Sequence, residues 1–474
     1  MKVCVLQPDY STSTVDYQYY DPPRELQPLL PNDQVDTIFL NKLTTYKQLK
    51  ALQHRGYDIF VNLCEGYLVW EVPSIDVIYT LELLNLPFTG PTSKLYDPPK
   101  ELMKYVAFCA DVATPSYALI SSTNNLEKEC GHLQYPLFVK PAKAGDSLGI
   151  DDQSLVQNQP QLLEKITQLL TDYDELLVEE YIAGREFTVM LAANADGKTV
   201  TAFKPVEYIF PTNFQYKTYA LKTSELHPNA NIPCNDPDVE KQLRTAAENI
   251  FKGFGGVGYG RLDFRMDAIG KLYFLEINFT CSVFYTNGYE GSADYILQHD
   301  GFGQQRFLQH IIAEGIARHK RQQKKYTIKG NAIAGYGIYA TQSLAIGNLV
   351  FQGEGKSQRL VTKAFVVANW NNEEQENFRR YAYPISDEVF ILWDEDPQEW
   401  APQNHSCQPN TAYKGLNIYA IQPITKGEEL TLDYTMFLDD KMQPFNCNCG
   451  TPNCKGWIEG TANNTITQRE KNAK

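Results

Sequence analysis

Four cysteines near the end of this 474-residue sequence have the spacing of a metal site. Cys447-x-Cys449-x4-Cys454 supplies three soft ligands. Zinc takes four such ligands in a tetrahedron. Cys407 is the only other cysteine in this half of the chain, and one Cys4 zinc site would tie the tail back onto Asn404-His405-Ser406-Cys407-Gln408-Pro409-Asn410. Between these pieces lies Glu428-Glu429-Leu430-Thr431-Leu432-Asp433-Tyr434, where a tyrosine follows an acidic strand end. Each piece alone says little. Their order and tight spacing make them one site.

A second group of reactive types lies earlier. Arg261 and Asp263 are two residues apart, as are Glu276 and Asn278. Side chains alternate along a strand, so in a hairpin each pair shares a face. Two carboxylates and an amide oxygen held together repel unless a cation binds. Such a set of hard oxygens suits magnesium bridging nucleotide phosphates. Arg261 would then neutralise a developing oxyanion or phosphoryl group. The competing reading is a surface salt-bridge network. Upstream, Lys140-Pro141-Ala142-Lys143-Ala144-Gly145-Asp146-Ser147-Leu148-Gly149 leaves backbone N–H groups open to an anion, and Lys140 sits at a strand end within reach of a phosphate. The same loop also reads as an ordinary turn with a surface lysine.

The elements that must carry these residues are legible as patterns. Residues 2–7 and 59–64 are short apolar runs and read as buried parallel strands. Residues 72–84, 98–110, 162–170 and 239–251 read as helices. Strands are expected at 137–139, 176–180 and 186–192, the last two joined through Gly184. Residues 262–266 and 272–278 form a hairpin turning at Ile269-Gly270. Residues 304–319 carry Phe307, Ile311, Ile312 and Ile316 at helical spacing. Strands alternating with helices imply an α/β sheet. The polar, basic run Arg318 to Lys325 is the expected domain boundary, and as a charge run it reads as a solvated helix end. After it come short β-like pieces punctuated by Gly and Pro, so the second half reads as mostly β. Residues 461–474 are polar and expected to fray.

Composition narrows the classes. The net charge is −14, and both halves carry more acid than base. That argues against direct nucleic-acid binding and against an anionic membrane partner. The start of the chain has no apolar signal-like run, and nothing approaches a membrane span. Ten cysteines without a signal suggest reduced thiols or metal ligands, hence a cytoplasmic protein.

Residues 1 to about 320 resemble an ATP-grasp ligase of the D-alanine–D-alanine ligase type. Pro87-Phe88-Thr89-Gly90 is similar to an early strand-end motif of that family. Lys100 and Lys104 resemble its paired lysines, the first a phosphate contact. Lys140 and the loop holding Ser147 resemble its phosphate-covering loop. Glu179-Glu180-Tyr181-Ile182 resembles the hinge that holds adenine, and Glu186 the ribose ligand. Lys217 falls where the family has a lysine near the transferred phosphate. Arg261, Asp263, Glu276 and Asn278 resemble its oxyanion and magnesium motifs. The resemblance implies ATP and Mg2+, with small-molecule carboxylate and amine substrates joined through an acyl phosphate, and a homodimer. The chain departs from the family after Asn278, reading Phe279-Thr280-Cys281-Ser282 in place of a Pro-Gly turn. It also has no clear counterpart between Asp9 and Asp21 of the family's amine-holding acid. Cys281 reads as a packed residue rather than a nucleophile.

Residues 326 to about 458 resemble a SET-domain protein lysine methyltransferase with a post-SET zinc motif. Gly335-Tyr336-Gly337 is similar to its Gly-x-Gly segment against S-adenosylmethionine. Asn404-His405-Ser406-Cys407 and Glu429 to Tyr434 match its two signatures. The resemblance implies that Gly335, Tyr336, Gly337, Asn404 and His405 hold the cofactor and that Tyr434 aligns the methyl transfer. It implies Cys407, Cys447, Cys449 and Cys454 on Zn2+, and a protein or peptide lysine as methyl acceptor. The aromatics of Phe378 to Tyr383 are equally a substrate channel or plain core.

The expected fold is an α/β ATP-grasp domain over 1–320, a linker over 321–325 and a mostly β SET domain over 326–445. A post-SET zinc module over 446–460 and a flexible tail over 461–474 follow. The expected function is a bifunctional ligase and N-methyltransferase. The alternative keeps only the methyltransferase active, with the first half a nucleotide-binding or substrate-docking module.

Overall fold

The structure is a computed structural model of the whole chain. It describes residues 1–13, 21–65, 72–143, 149–210, 216, 230–356, 358–392, 403–440 and 442–461. The chain divides into two compact units, Met1–Gln322 and Gln323–Lys474.

The first unit opens on a small parallel sheet. Its strands are β1 (Lys2–Pro8), β2 (Gln34–Leu40) and β3 (Ile59–Asn62), in the order β2-β1-β3. Residues 3–8 of β1 are buried, as expected of a central parallel strand whose two faces are both covered. A second, antiparallel sheet holds β4 (Tyr117–Ile120), β5 (Leu137–Pro141), β6 (Leu155–Val156) and β7 (Leu176–Glu180), in the order β4-β7-β5-β6. The third sheet positions the charged residues. It contains β8 (Arg185–Ala193), β9 (Val200–Ala202), β10 (Val206–Tyr208), β11 (Asn231–Pro233), β12 (Tyr259–Met266) and β13 (Leu272–Asn278). The order is β11-β10-β8-β12-β13, with β9 on β8.

Alternation gives this sheet two different faces. Phe187, Val189, Leu191, Leu262 and Phe264 point into a core shared with the helices Lys100–Cys109 and Pro237–Gly253. The latter helix is started by Asp236, whose carboxylate accepts from the N–H groups of Asp238 and Val239. The opposite face is apolar at one end, where Met190, Ala192 and Tyr259 join the largest core. Its other end carries Thr188, Arg261, Asp263, Glu276 and Asn278. Gly184 joins β7 to β8 with φ +140°, and a Cβ there would lie 2.1 Å from the Met266 carbonyl oxygen, so only glycine fits.

In the second unit the strands are β14 (Tyr326–Asn331), β15 (Gly335–Ala340), β16 (Leu349–Phe351), β17 (Arg359–Thr362), β18 (Tyr383–Pro384) and β19 (Val389–Leu392). They continue with β20 (Asn404–His405), β21 (Thr411–Lys414), β22 (Asn417–Ala420), β23 (Glu429–Leu432), β24 (Phe445–Asn446) and β25 (Trp457–Ile458). They form small sheets ordered β14-β15-β23-β20, β16-β22-β21, β17-β19-β18 and β24-β25. Mostly β is the observed character. The helices Lys363–Asn369 and Asn372–Tyr381 add to it. The second starts at a capping box between Asn371 and Glu374, an N-x-x-E signal present in the sequence. Phe378 and Tyr383 are buried core residues, while Tyr381 is exposed.

The largest core of the first unit is built around Phe307, which is fully buried with its ring against those of Phe203, Tyr259 and Phe284. Phe307→Ala is expected to cost the first unit about 3–5 kcal/mol. Urea unfolding would show this as a lowered midpoint for that unit.

Candidate active sites in the two units

In the first unit the ladder puts Thr188, Asp263 and Glu276 in one row across three strands, with Arg261 opposite Asn278 in the next row on that face. A β-bulge interrupts the pairing between Asp263 and Phe264, where a bulge re-aims neighbouring side chains. The Thr188 hydroxyl donates to Asp263 Oδ1 at 2.8 Å, and Arg261 lies 3.6 Å from Asp263 Oδ2. Lys100 at the start of its helix donates to Glu276 Oε2 at 2.9 Å. Asn278 Oδ1 accepts from the N–H and hydroxyl of Thr280. Two carboxylates and an amide oxygen on one face have the donor chemistry of a magnesium site.

Beside them a second charge cluster is buried. Glu179, on β7, accepts from Lys104 at 2.8 Å and from Lys140 at 2.5 Å. Burial alone would push its carboxyl up. The attraction of Lys104 and Lys140 and their hydrogen bonds outweigh that and hold it at about 2. Two ammonium groups sharing one carboxylate leave a net positive charge, which favours an anion. Burial lowers Lys104, and Glu179 opposes that. A small pocket is lined by Asp97, Pro98, Pro99, Lys100, Ala142 and Lys143.

Tyr181 and Ile182 of the expected hinge, together with Glu186, gather around Arg265. Its guanidinium donates to Glu186 Oε2 at 3.0 and 3.2 Å and to the Ile182 carbonyl at 2.8 Å, and it lies over the Tyr181 ring at 4.8 Å. Phe138, Tyr181 and Tyr216 pack as an aromatic group. Sequence reasoning missed Arg265, although every second residue from Arg261 to Arg265 is charged. Lys100, Lys140, Glu179, Tyr181, Ile182 and Glu186 are thus all described. Ser147 and Lys217 lie outside the described residues.

A further cluster joins segments with no sequence signal. Arg24 is buried and ion-pairs with Asp21 at 3.0 Å and Glu65 at 3.3 Å. Glu65 also accepts from the Ser282 hydroxyl, 217 positions away, and Asp21 from the hydroxyls of Tyr285 and Tyr10. Burial raises the Glu65 carboxyl to about 7; Arg24 opposes this, Asp21 adds to it and Ser282 opposes it. Cys281 is fully packed next to Ser282, and burial pushes its thiol up to about 12, which suits the packed reading.

In the second unit the Asn404 side chain donates to the Tyr336 carbonyl at 2.7 Å and to Glu429 Oε1 at 2.9 Å. Asn331 also donates to both Glu429 oxygens. A Cβ on Gly337 would lie 2.4 Å from Glu429 Oε1, so glycine there makes room for this carboxylate. Asn410 substitutes for a strand neighbour of β23: it donates to the Glu429 carbonyl at 2.8 Å and accepts from the Thr431 N–H at 2.9 Å. Tyr434 donates to the Gln403 carbonyl at 2.6 Å. Burial raises its phenol well above the ordinary value, so it stays neutral. β20 runs parallel to β23, pairing His405 with Leu432. Burial lowers the His405 imidazolium; Asp433 opposes this and Lys455 adds to it, so the ring is neutral near pH 7.

The sulfurs of Cys407, Cys447, Cys449 and Cys454 all lie within 4.8 Å of one another, and Cys407 to Cys447 is 3.9 Å. A tetrahedral zinc with Zn–S bonds near 2.3 Å separates its sulfurs by about 3.8 Å. The donor set and spacing fit that ion.

Both units have counterparts among known proteins. Residues 109–287 match the family model "D-ala D-ala ligase C-terminus", and residues 335–435 match "SET domain". The chain is 30% identical over 201 residues to D-alanine–D-alanine ligase of Dechloromonas aromatica, covering 42% of this chain and 63% of the relative. It is 30% identical over 203 residues to that of Bordetella petrii, covering 42% and 60%. The match thus spans less than two thirds of these relatives. The fold is similar to the D-alanine–D-alanine ligase structure from Coxiella burnetii, with TM-score 0.50, 18% identity and coverage of 68% of this chain and 97% of that one. At that identity the likeness is one of fold. The chain therefore carries a ligase-type ATP-grasp region followed by a SET domain. Among the described residues no helix is long and apolar enough to cross a membrane.

Two outcomes follow from the clusters. Because the folded Glu65 carboxyl titrates near 7 and the unfolded one lower, its protonated form favours folding. That stability is present below the unfolded value and is lost as pH rises through about 7. Glu65→Gln is neutral throughout and is expected to flatten this slope in thermal melts of the first unit between about pH 5 and about pH 8. Cys407→Ser is expected to lower zinc content by elemental analysis while ATP affinity, measured by calorimetry, is unchanged.

Proposed function

We propose that the chain is a bifunctional enzyme. Its first unit acts as an ATP-dependent carboxylate–amine ligase. Its second acts as an S-adenosylmethionine-dependent lysine or amine N-methyltransferase with Tyr434 as the catalytic residue.

The row of Asp263 and Glu276 beside Arg261 carries the ligase reading. A substrate carboxylate that takes the γ-phosphoryl group of ATP, with ADP leaving, becomes an acyl phosphate, and an amine then attacks its carbonyl carbon, expels phosphate and loses a proton to form the amide. Both steps build negative charge on oxygen. Arg261 neutralises it without reorganisation. Asp263, Glu276 and Asn278 would hold Mg2+, which would shield the phosphates. Lys100, Lys140 and Ser147 meet phosphate, Lys217 the transferred group, and Glu179 to Ile182 with Glu186 the nucleoside. The Glu65–Asp21–Arg24 cluster carries two acids for one base and suits the amine substrate.

Methyl transfer from a sulfonium is an in-line displacement. It needs a neutral amine, alignment and exclusion of water. The half-buried, neutral Tyr434, whose hydroxyl donates to the Gln403 carbonyl, supports an aligning role. Asn404, His405, Gly335, Tyr336 and Gly337 form the cofactor wall, and the four cysteines on Zn2+ hold the tail beside it. The methyl acceptor is a protein or peptide lysine. The protein is cytoplasmic, a homodimer, and works apart from nucleic acid and membrane. A second reading, in which the first unit only binds nucleotide or docks substrate, is favoured by Phe279-Thr280-Cys281-Ser282 replacing the turn of similar ligases.

A double dissociation tests both readings. With ATP, Mg2+ and an amino-acid panel, Arg261→Ala is expected to lower phosphate release by about 10²–10³-fold while methylation persists. Tyr434→Phe is expected to lower methyl transfer by about a hundredfold while phosphate release persists. No phosphate release by the wild type with any amine would leave the second reading standing.

A further inference from the structure

His405 has both ring nitrogens committed to protein atoms. Nδ1 accepts from the backbone N–H of Tyr434 at 3.0 Å. Nε2 lies 3.3 Å from Cys407 Sγ. A nitrogen that accepts from an N–H carries no proton of its own. With Nδ1 accepting, the ring holds its proton on Nε2 and donates it toward the Cys407 sulfur. One side chain thus connects the main chain of the catalytic tyrosine to a cysteine of the metal cluster.

The surroundings fix the ring in this pose. His405 packs edge-on to Tyr434 at 5.5 Å and to Phe445 at 5.7 Å between centroids. Phe445 lies on β24, in the cysteine-bearing tail. A second strap runs in parallel. The Lys455 backbone N–H donates to Cys407 Sγ at 3.3 Å, while its ammonium lies 3.3 Å from Asp433 Oδ2, next to Tyr434.

We infer that His405 is a positioning residue that couples the Cys4 cluster to Tyr434, so that metal occupancy sets the orientation of the tyrosine. The inference rests on the zinc and methyltransferase reading above. An N–H donor to a metal-bound thiolate spreads its charge and orients it. Loss of such outer partners typically costs about 10–100-fold in metal affinity. The other nitrogen fixes where the chain turns out of β23 into Asp433 and Tyr434. The two arms are chemically separable. An Asn amide oxygen can reproduce the Nδ1 acceptor, and a Gln amide N–H can reproduce the Nε2 donor. Neither side chain reaches both partners.

The test uses the full zinc-loaded chain with 15N-labelled histidine. The wild-type imidazole signal that disappears in H405Q is expected to report the Nε2–H tautomer; an Nδ1–H signal would overturn the inference. Zinc release to a chromogenic chelator is expected to be about 10–100-fold faster in His405→Phe and His405→Asn, and near the wild-type rate in His405→Gln. Methylation kcat is expected to fall in both His405→Phe and His405→Gln. Equal zinc release from wild type and His405→Phe would overturn the bridge while leaving the Cys4 reading intact. A wild-type chain that holds no zinc would overturn the Cys4 reading itself, and the Cys407 arm with it.

Discussion

A carboxylate that leaves water must be met by cations or by hydrogen-bond donors, or it gives up its charge. Both units are built around that constraint. In the first, Glu179 is shared by Lys104 and Lys140, Glu186 is held by Arg265, and Glu276 is met by Lys100. In the second, Glu429 takes amide donors from Asn331 and Asn404. Glu65 shows the other outcome. One guanidinium serves both it and Asp21, and its carboxyl drifts up toward neutrality.

The pairing is possible because strand register does the placing. Glu186 and Arg265 are direct cross-strand partners, as are Asp263 and Glu276. A slip of one residue would send every one of these side chains into the apolar core on the other face. The bulge after Asp263 adds a local adjustment at the point where the charged row meets the hydrophobic one. In the second unit the parallel pairing of β20 with β23 does the same work. It sets His405 two residues short of Tyr434 in the ladder, close enough for its ring to reach the tyrosine's main chain.

Several residues that resemblance assigns to ligands already have protein partners. Glu179 and Glu186 are held by cations, Asn404 by Tyr336 and Glu429, and His405 by Tyr434 and Cys407. Their side chains preorganise the walls of the sites. Such preorganisation is what both reaction classes need, since neither depends on strong acid–base chemistry from the protein. Gly337 belongs with them: its missing side chain is the space that Glu429 occupies.

The motifs were legible because they are local. Cys447-x-Cys449-x4-Cys454, Asn404-His405 and the alternating Arg261-x-Asp263 depend on spacing over a few residues, where helical or extended geometry alone decides which side chains share a face. The α/β then mostly β order, the hairpin at Gly270 and the helix around Phe307 were readable for the same reason. Arg265 stands in plain alternation with Arg261 and Asp263, but its partner Glu186 lies on another strand, so local spacing does not reveal its role. What only the tertiary structure decided is non-local. Glu65 meets Ser282 across 217 positions, Glu179 joins two lysines from separate elements, and His405 spans from Tyr434 to Cys407. No periodicity encodes such contacts. Packing of the whole unit brings the groups together, and the need to satisfy buried charge and polar hydrogen then selects the partners.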